Sequence, residues 1–429
     1  MDAYRIEGGR KVFGEVSISG NKNSALPLIA ASLLTDESII LKNVPNIKDV
    51  NTMLSLIEEL GSEVEHIDLN TIKLTSKSRV NRVLNQKMEM VRGSILFLGP
   101  LLAFFNDVEI SPPGGDVIGL RRVDTHFLGF NSLGASCSIT DEGTLSVRYD
   151  RLVPSDIFLE EASVTATENI IMLASSIEGI TILRNAACEP HVQDLCNMLN
   201  LMGCDIKGIG SNLLTIKGTK TFRGCTYTLG CDYMEAGSFI GLAAATKGEI
   251  VLKNVDYQSI RVIESAFNKL GIDIATREDG SVYVSSKQER VMKKSFNNMT
   301  NKIDDAPWPG FPADLLSIMT VTATQMEGTI LMHEKMFESR MYFVDWLIRM
   351  NADIILCDPH RAVINGPSKL NGARVSSPDV RAGMALIIAA ACSKGTSVIE
   401  NIYQIERGYE NLEQKLKGIN IDITRISNI

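Results

Sequence analysis

The chain has 429 residues, 45% of them hydrophobic and 22% charged, with a formal net charge of −8. At about 100 to 200 residues per domain that length predicts two or three domains with sizeable cores. The acidic balance excludes a general nucleic-acid binder, and no apolar run approaches the roughly 18 residues that span a bilayer, so small molecules are the expected partners, with no nucleic acid and no membrane.

The opening MDAYRIEGGRK lacks the apolar stretch of a signal peptide, which predicts a cytoplasmic protein. It runs into KVFGEVSISG (11–20), a strand pattern similar to KLNGARVSS (369–377) further on. One unit then recurs: a small-residue helix, a Gly or polar turn, a strand ending near Asn, a second helix, and another strand after Gly or Asn. The first halves of its copies are AASLLTDESIILKNV (30–44), the divergent LLAFFNDVEISPP (101–113), ASSIEGITILRNA (174–186), LAAATKGEIVLKNV (242–255), the looser TATQMEGTILMHE (322–334) and AAACSKGTSVIENI (389–402).

The second helices, among them MLSLIEELGSEVE (53–65), LCNMLNLMGCDI (195–206), IESAFNKLGIDI (263–274), FVDWLIRMNADI (343–354) and LEQKLKGINIDI (412–423), carry apolar residues at i, i+3, i+4 and i+7, a single buried stripe. Each closes on Gly61, Gly134, Gly203, Gly271, Asn351 or Asn420, the residue types that tolerate a left-handed C-cap. Alternating strands follow, such as TIKLTS (71–76), LLTIKG (213–218), SVYVSS (281–286) and AVINGP (362–367). The fold class is therefore α/β, six β-α-β-α-β-β repeats in two domains of three.

The sixth copy runs out near Ile429, so the first 20 or so residues are expected to join the C-terminal half. The domains are then 21–230 and 1–20 plus 231–429, with hinges near 20–23 and 228–232. The eight cysteines show no CxxC pair or metal-ligand spacing and mostly sit in apolar stretches, which predicts small core residues and no metal site.

The first helices begin near Lys22–Asn23, Arg92, Ser163, Glu235, Asp314 and Asp379, where free N–H groups and the helix dipole favour anions. Further arginines stand at 121, 340, 381 and 407. If helices of both domains point to one cleft, it traps phosphates and carboxylates; otherwise these residues are caps and surface charges. The stretch SPPGGDVIGLRR (111–122) sets Asp116 among prolines and glycines beside Arg121 and Arg122. By itself it reads equally as a catalytic lid or as a surface turn.

Taken together, SGNKNSALPLIAASLL, PPGGDVIGLRRVDTH, SVTATEN, PGFPADL, FESR, SPDVRAG and ERGYE resemble, in order and over essentially the whole chain, the UDP-N-acetylglucosamine enolpyruvyl transferase family. The resemblance implies a two-domain inverted (inside-out) α/β barrel and transfer of the enolpyruvyl group of phosphoenolpyruvate to the 3'-hydroxyl of UDP-N-acetylglucosamine, without a cofactor, as the committed step of peptidoglycan synthesis. It makes the 111–122 loop a lid whose usual cysteine acid is here Asp116. A free aspartate, with a pKa of about 3.9, is ionised at neutral pH, so lid closure, desolvation and substrate phosphates must raise it. Fosfomycin alkylates the lid cysteine of the family, so insensitivity is expected here.

By the same resemblance Lys22, Arg121 and Arg407 match the cations holding phosphoenolpyruvate, and Asp314 matches the general base beside the 3'-hydroxyl. Asn23 and Arg92 match contacts to the nucleotide sugar or lid, and Arg340 and Asp379 match supporting positions. Arg121, Arg122, Val123, Asp124 and Thr125, with Ser163, Val164 and Met336, match the uridine and diphosphate wall. Four departures bear on affinity: Glu161 for a lysine, Thr165 for the glycine of SVGAT, Leu316 for a glutamine and Gln404 for a histidine. The rival readings are the sister 3-phosphoshikimate 1-carboxyvinyltransferase and a silent paralogue that only binds a nucleotide sugar.

Overall fold

The run AGSFIGLAAA (236–245) carries little side chain on any face, so a helix built from it can be surrounded closely by other helices. In the computed structural model, which describes residues 2–115 and 122–427, this run lies in the helix Tyr233–Ala245, buried along all 13 residues. The helices Leu316–Ala323 and Val380–Cys392 pack on it and on each other. The glycine at 241 is what permits the approach: a Cβ there would fall 2.6 Å from Ile318 Cγ2 and 2.9 Å from Thr322 Oγ1. Thr320 and Thr322 donate their hydroxyls to the carbonyls of Leu316 and Ile318 at 2.8 and 2.7 Å, so these buried helices carry polar side chains with their bonds made.

Sheets flank the helices. Among the described residues six four-stranded sheets share one order, in which the lead strand runs parallel to the second, the second antiparallel to the fourth, and the fourth antiparallel to the third. Thus Asp156–Phe158 pairs parallel with Ile180–Arg184, which pairs antiparallel with Leu213–Lys217, which takes Asp205–Lys207 on its far edge. This is the predicted β-α-β-α-β-β unit. The amphipathic second helices cover it; Lys48–Glu59 buries Val50, Met53, Leu54, Leu56 and Ile57, the expected stripe.

The local punctuation has the conformations its residue types favour. Gly61, Gly134, Gly203, Gly271, Asn351 and Asn420 all take positive φ, from 73° to 115°. Four strand-ending asparagines, Asn43, Asn185, Asn254 and Asn401, are also left-handed, with φ from 55° to 60°. The second repeat, the most divergent in sequence, starts its first helix as a 3-10 turn over Arg92–Phe97 before the short helix Leu98–Leu102. The last repeat splits its second helix into Ile402–Glu406 and Leu412–Gly418.

Strand assignment departs from chain order in two places. Phe13–Ser17 pairs with Glu249–Lys253, and Cys225–Thr228, which precedes the fourth helix pair in sequence, pairs instead with Ile39–Lys42 of the first. Ala3–Glu7 fills the sixth sheet between Thr396–Glu400 and Asp422–Ile426. The chain forms two compact units, residues 2–19 with 231–427 and residues 20–115 with 122–230, each around its own core. Within the first, Asp232 N donates to Ser19 O at 2.9 Å; within the second, Asn21 N donates to Gly230 O at 2.8 Å.

Three cysteines are buried and four half-buried, whereas Cys357 is exposed on the strand Asp353–Asp358, so it departs from the predicted core role. The alternation of that strand turns Cys357 outward, opposite to Ile354. Among the described residues no helix is long and apolar enough to cross a membrane, and no three His, Cys, Asp or Glu side chains are grouped to hold a metal.

Candidate active site

In the unit 20–230, the predicted residues gather at helix starts. Asn21 caps the helix Lys22–Ala31, its side chain accepting from Asn23 N at 2.8 Å. The Lys22 ammonium lies 2.5 Å from Asp49 Oδ2, with the lysine side chain 12% exposed and the aspartate 5%. Ser24 donates to Asp194 Oδ2 at 2.5 Å, and Tyr227 OH and Gly230 N also donate to Asp194, at 2.8 and 3.1 Å. Burial raises the Asp194 carboxyl, and these three donors oppose it.

Arg92 opens its 3-10 turn and donates from Nη2 to the carbonyl of Arg122 at 3.2 Å. Arg122 pairs with Asp124, the first residue of the helix Asp124–Ser132, for which Val123 is the N-cap and in whose first turn Thr125 lies. Ser163 is the N-cap of Val164–Ala174 but makes no side-chain cap bond. What joins these two helix starts is His126. Its Nε2 lies 3.1 Å from Thr165 Oγ1 and its Nδ1 3.0 Å from Asn169 Nδ2.

Asn169 fixes the tautomer. Its Oδ1 accepts from Gly99 N at 2.9 Å and its Nδ2 donates to Ile95 O at 2.8 Å, so Nδ2 is the donor to His126 Nδ1, and the ring proton on Nε2 goes to Thr165. Burial, with the Arg92 charge adding, lowers the imidazole to about 3, which keeps it neutral. Thr165, which replaces a glycine of the motif, thus has a structural partner.

In the unit 231–427, Asp314 lies in the 3-10 turn Ala313–Leu315 and receives two guanidiniums. Arg340 Nη2 bonds to its Oδ1, and Arg381 Nε lies 3.3 Å from its Oδ2. Both arginines are nearly enclosed, at 10% and 4% side-chain exposure, so the carboxylate is oriented by fixed charges. Arg381 is held in turn: its guanidinium stands 5.1 Å over the Tyr409 ring, and Tyr409 OH shares a 2.8 Å hydrogen bond with Ser238.

Asp379 caps Val380–Cys392, accepting from Arg381 N and Ala382 N at 2.8 and 3.0 Å, so it holds the helix that presents Arg381. Arg407 is 5% exposed and donates to Gln404 Oε1 at 2.8 Å, a contact made by one of the departing residues. Met336 is partly exposed, with its amide fixed by Asp305 and Glu334.

The structure thus brings Arg92, Arg122 and Asp124 together in one unit, and Asp314, Arg340 and Asp379 in the other. Asp116 and Arg121 lie outside the described residues. Just before them, Gly114 passes so close to the 80s segment that a Cβ would fall 1.5 Å from Glu89 O. Sequence reasoning missed Asp49, His126, Asn169 and the pairing of Arg381 with Asp314. His126 and Arg381 were signalled by the motifs VDTH and SPDVRAG, whereas Asp49 carries no local mark.

The sequence profile of the EPSP synthase (3-phosphoshikimate 1-carboxyvinyltransferase) family matches residues 6–416. Among solved structures, the enolpyruvyl transferase NikO from Streptomyces tendae superposes with a TM-score of 0.87 at 19% identity, covering 100% of this chain and 99% of that one. An EPSP synthase from Acinetobacter baumannii gives 0.77 at 16% identity over the full length of both. The fold is therefore the inside-out α/β fold of the enolpyruvyl transferases.

Full-length relatives narrow the class. The UDP-N-acetylglucosamine 1-carboxyvinyltransferase of Treponema denticola is 55% identical over 424 residues, 99% of both chains, and that of Treponema pallidum 52% over the same length and coverage. That of Borrelia garinii subsp. bavariensis is 51% identical over 429 residues, all of both chains. The chain belongs to the UDP-N-acetylglucosamine 1-carboxyvinyltransferase family.

Proposed function

We propose that the protein transfers the enolpyruvyl group of phosphoenolpyruvate to the 3'-hydroxyl of UDP-N-acetylglucosamine with release of phosphate, the first committed step of peptidoglycan synthesis. The observation that carries this is identity of 51–55% with enzymes of that name over 99–100% of the chain. The sister 3-phosphoshikimate reaction has weaker support, because the solved EPSP synthases share 16% identity. The same reading places the reaction in the cytoplasm.

The residues divide the chemistry as follows. Lys22, Arg121 and Arg407 hold the phosphate and carboxylate of phosphoenolpyruvate; an ammonium has three donors, so the bond of Lys22 to Asp49 leaves two for the substrate. Asp116, assigned from the sequence, delivers a proton to the methylene carbon and makes its neighbour electrophilic. Asp314 takes the proton of the 3'-hydroxyl as it adds, and the two guanidiniums on its oxygens hold it in place. The Asp116 carboxylate left by the first step then takes a proton back from the former methylene carbon, which expels phosphate and restores the double bond.

Asn23, Arg92 and residues 121–125, with Ser163, Val164 and Met336, bind the nucleotide sugar. Arg340 orients Asp314, and Asp379 supports Arg381. Insensitivity to fosfomycin rests on the identity of residue 116 alone. The test is phosphate release from phosphoenolpyruvate by purified protein with either UDP-N-acetylglucosamine or shikimate 3-phosphate as acceptor. Release that requires the nucleotide sugar is expected. Release with shikimate 3-phosphate alone assigns the sister reaction, and release with neither, while UDP-N-acetylglucosamine still binds, leaves a silent nucleotide-sugar binder.

A further inference from the structure

Two carboxyl side chains without a role in this chemistry, Asp305 and Glu334, are buried completely in the unit 231–427. They follow the strands Asn301–Asp304 and Gly328–His333, which are parallel neighbours with Asp304 opposite His333, so both side chains leave the sheet at one point. Together they grip the next turn. Lys335 N donates to Asp305 Oδ1 at 2.5 Å, Phe337 N to Glu334 Oε1 at 3.0 Å, and Met336 N is shared between Asp305 Oδ2 at 3.3 Å and Glu334 Oε1 at 3.2 Å. Three of the four carboxyl oxygens therefore accept from amides. The fourth, Glu334 Oε2, is buried and receives no donor.

Two carboxylates this close in a dry interior do not both stay ionised. A proton on Asp305 would weaken an oxygen that already accepts from an amide, whereas Glu334 Oε2 holds no donor and takes the proton without that cost. We propose that Asp305 and Glu334 hold one proton between them, carried on Glu334 Oε2 and donated to Asp305, and that this pair positions the 335–340 segment bearing Met336 and Arg340. Arg340 in turn reaches Asp314, so the pair acts on the reaction through the placement of others. The kinetic consequence rests on the proposed function; the shared proton does not.

Burial raises the Glu334 carboxyl, as do its hydrogen bond to Asp305 and the charge of that residue, while Arg340 opposes them. The other charged or titratable groups around the pair are Asp304 with its partners Lys302 and Lys335, His360, whose Nδ1 lies 3.0 Å from Glu334 O, and Asp379, which lines the same small pocket as Glu334 and Arg340. A carboxyl raised by folding contributes fully below the ordinary carboxylate pKa and loses that contribution as pH rises through its folded value. The grip on the turn therefore loosens on the alkaline side.

The test uses the full chain and the variants Glu334→Gln and Asp305→Asn. Glutamine reproduces the protonated acid, its carbonyl accepting from the two amides and its NH2 donating to Asp305, whereas asparagine at 305 must turn an NH2 against an amide N–H. At neutral pH the infrared spectrum of the unmodified protein is expected to show a protonated buried carboxyl that Glu334→Gln lacks. Glu334→Gln should keep kcat and the KM for UDP-N-acetylglucosamine within about twofold and lose the alkaline rise in KM, while Asp305→Asn raises KM at least about fivefold with a smaller change in kcat. Identical carboxyl bands in the two proteins, identical alkaline profiles, or a loss above about tenfold in Glu334→Gln that still melts like the unmodified protein would overturn the proposal. If no form turns over the nucleotide sugar, the functional reading fails and the infrared difference still decides the pair.

Discussion

Asp314 owes its environment to residues far along the chain. Its two guanidiniums come from positions 26 and 67 residues downstream, and each is enclosed, so the carboxylate is both charge-matched and aimed. Asp314→Asn keeps the shape but removes the proposed proton acceptor; kcat should fall by at least about 100-fold with KM changed much less. A loss confined to KM would contradict the role of base. The proposed acid at residue 116 should be replaceable by another acid: Asp116→Asn should lose nearly all turnover, whereas Asp116→Cys should retain activity and become sensitive to fosfomycin, checked by activity after incubation with the drug. At this scale motifs made Asp314, Arg340 and Asp379 visible in the sequence. The Lys22–Asp49 pair and the His126–Asn169 tie were not, because each joins residues whose proximity only the folded repeats create.

At the scale of elements, what was legible was local. A glycine or asparagine that must close a helix leaves its mark at that position, and all six predicted closers are left-handed. The exchange of lead strands was illegible in part because Cys225–Thr228 and Phe13–Ser17 are equally plausible strands for either partner, and the choice is made by contacts across nearly half the chain. Asn43 makes one of them, donating from Nδ2 to Leu229 O at 3.0 Å, 186 residues away in sequence. Gly20 passes beside the same residue so closely that a Cβ would fall 1.6 Å from Asn43 O. Gly20→Ala should therefore destabilise the protein by about 3 kcal/mol, read as a lower denaturation midpoint, because neither backbone can yield without breaking the crossover. An unchanged midpoint would mean that this approach is not tight in solution.

For the whole molecule, six copies of one sheet topology among the described residues and two cores of buried helices make the inside-out α/β fold; the repeat pattern made the six units readable from the chain, and the family resemblance implied the inside-out arrangement. The fold does not choose between acceptors, since the solved relatives that share it at 16–19% identity include EPSP synthases. The choice rests on the full-length relatives. The most direct measurement is the mass of the product formed from phosphoenolpyruvate and UDP-N-acetylglucosamine, with phosphate counted in the same reaction. The account predicts the enolpyruvyl ether of the nucleotide sugar and phosphate in equal amounts; phosphate without the ether, or the ether formed only on shikimate 3-phosphate, would contradict it.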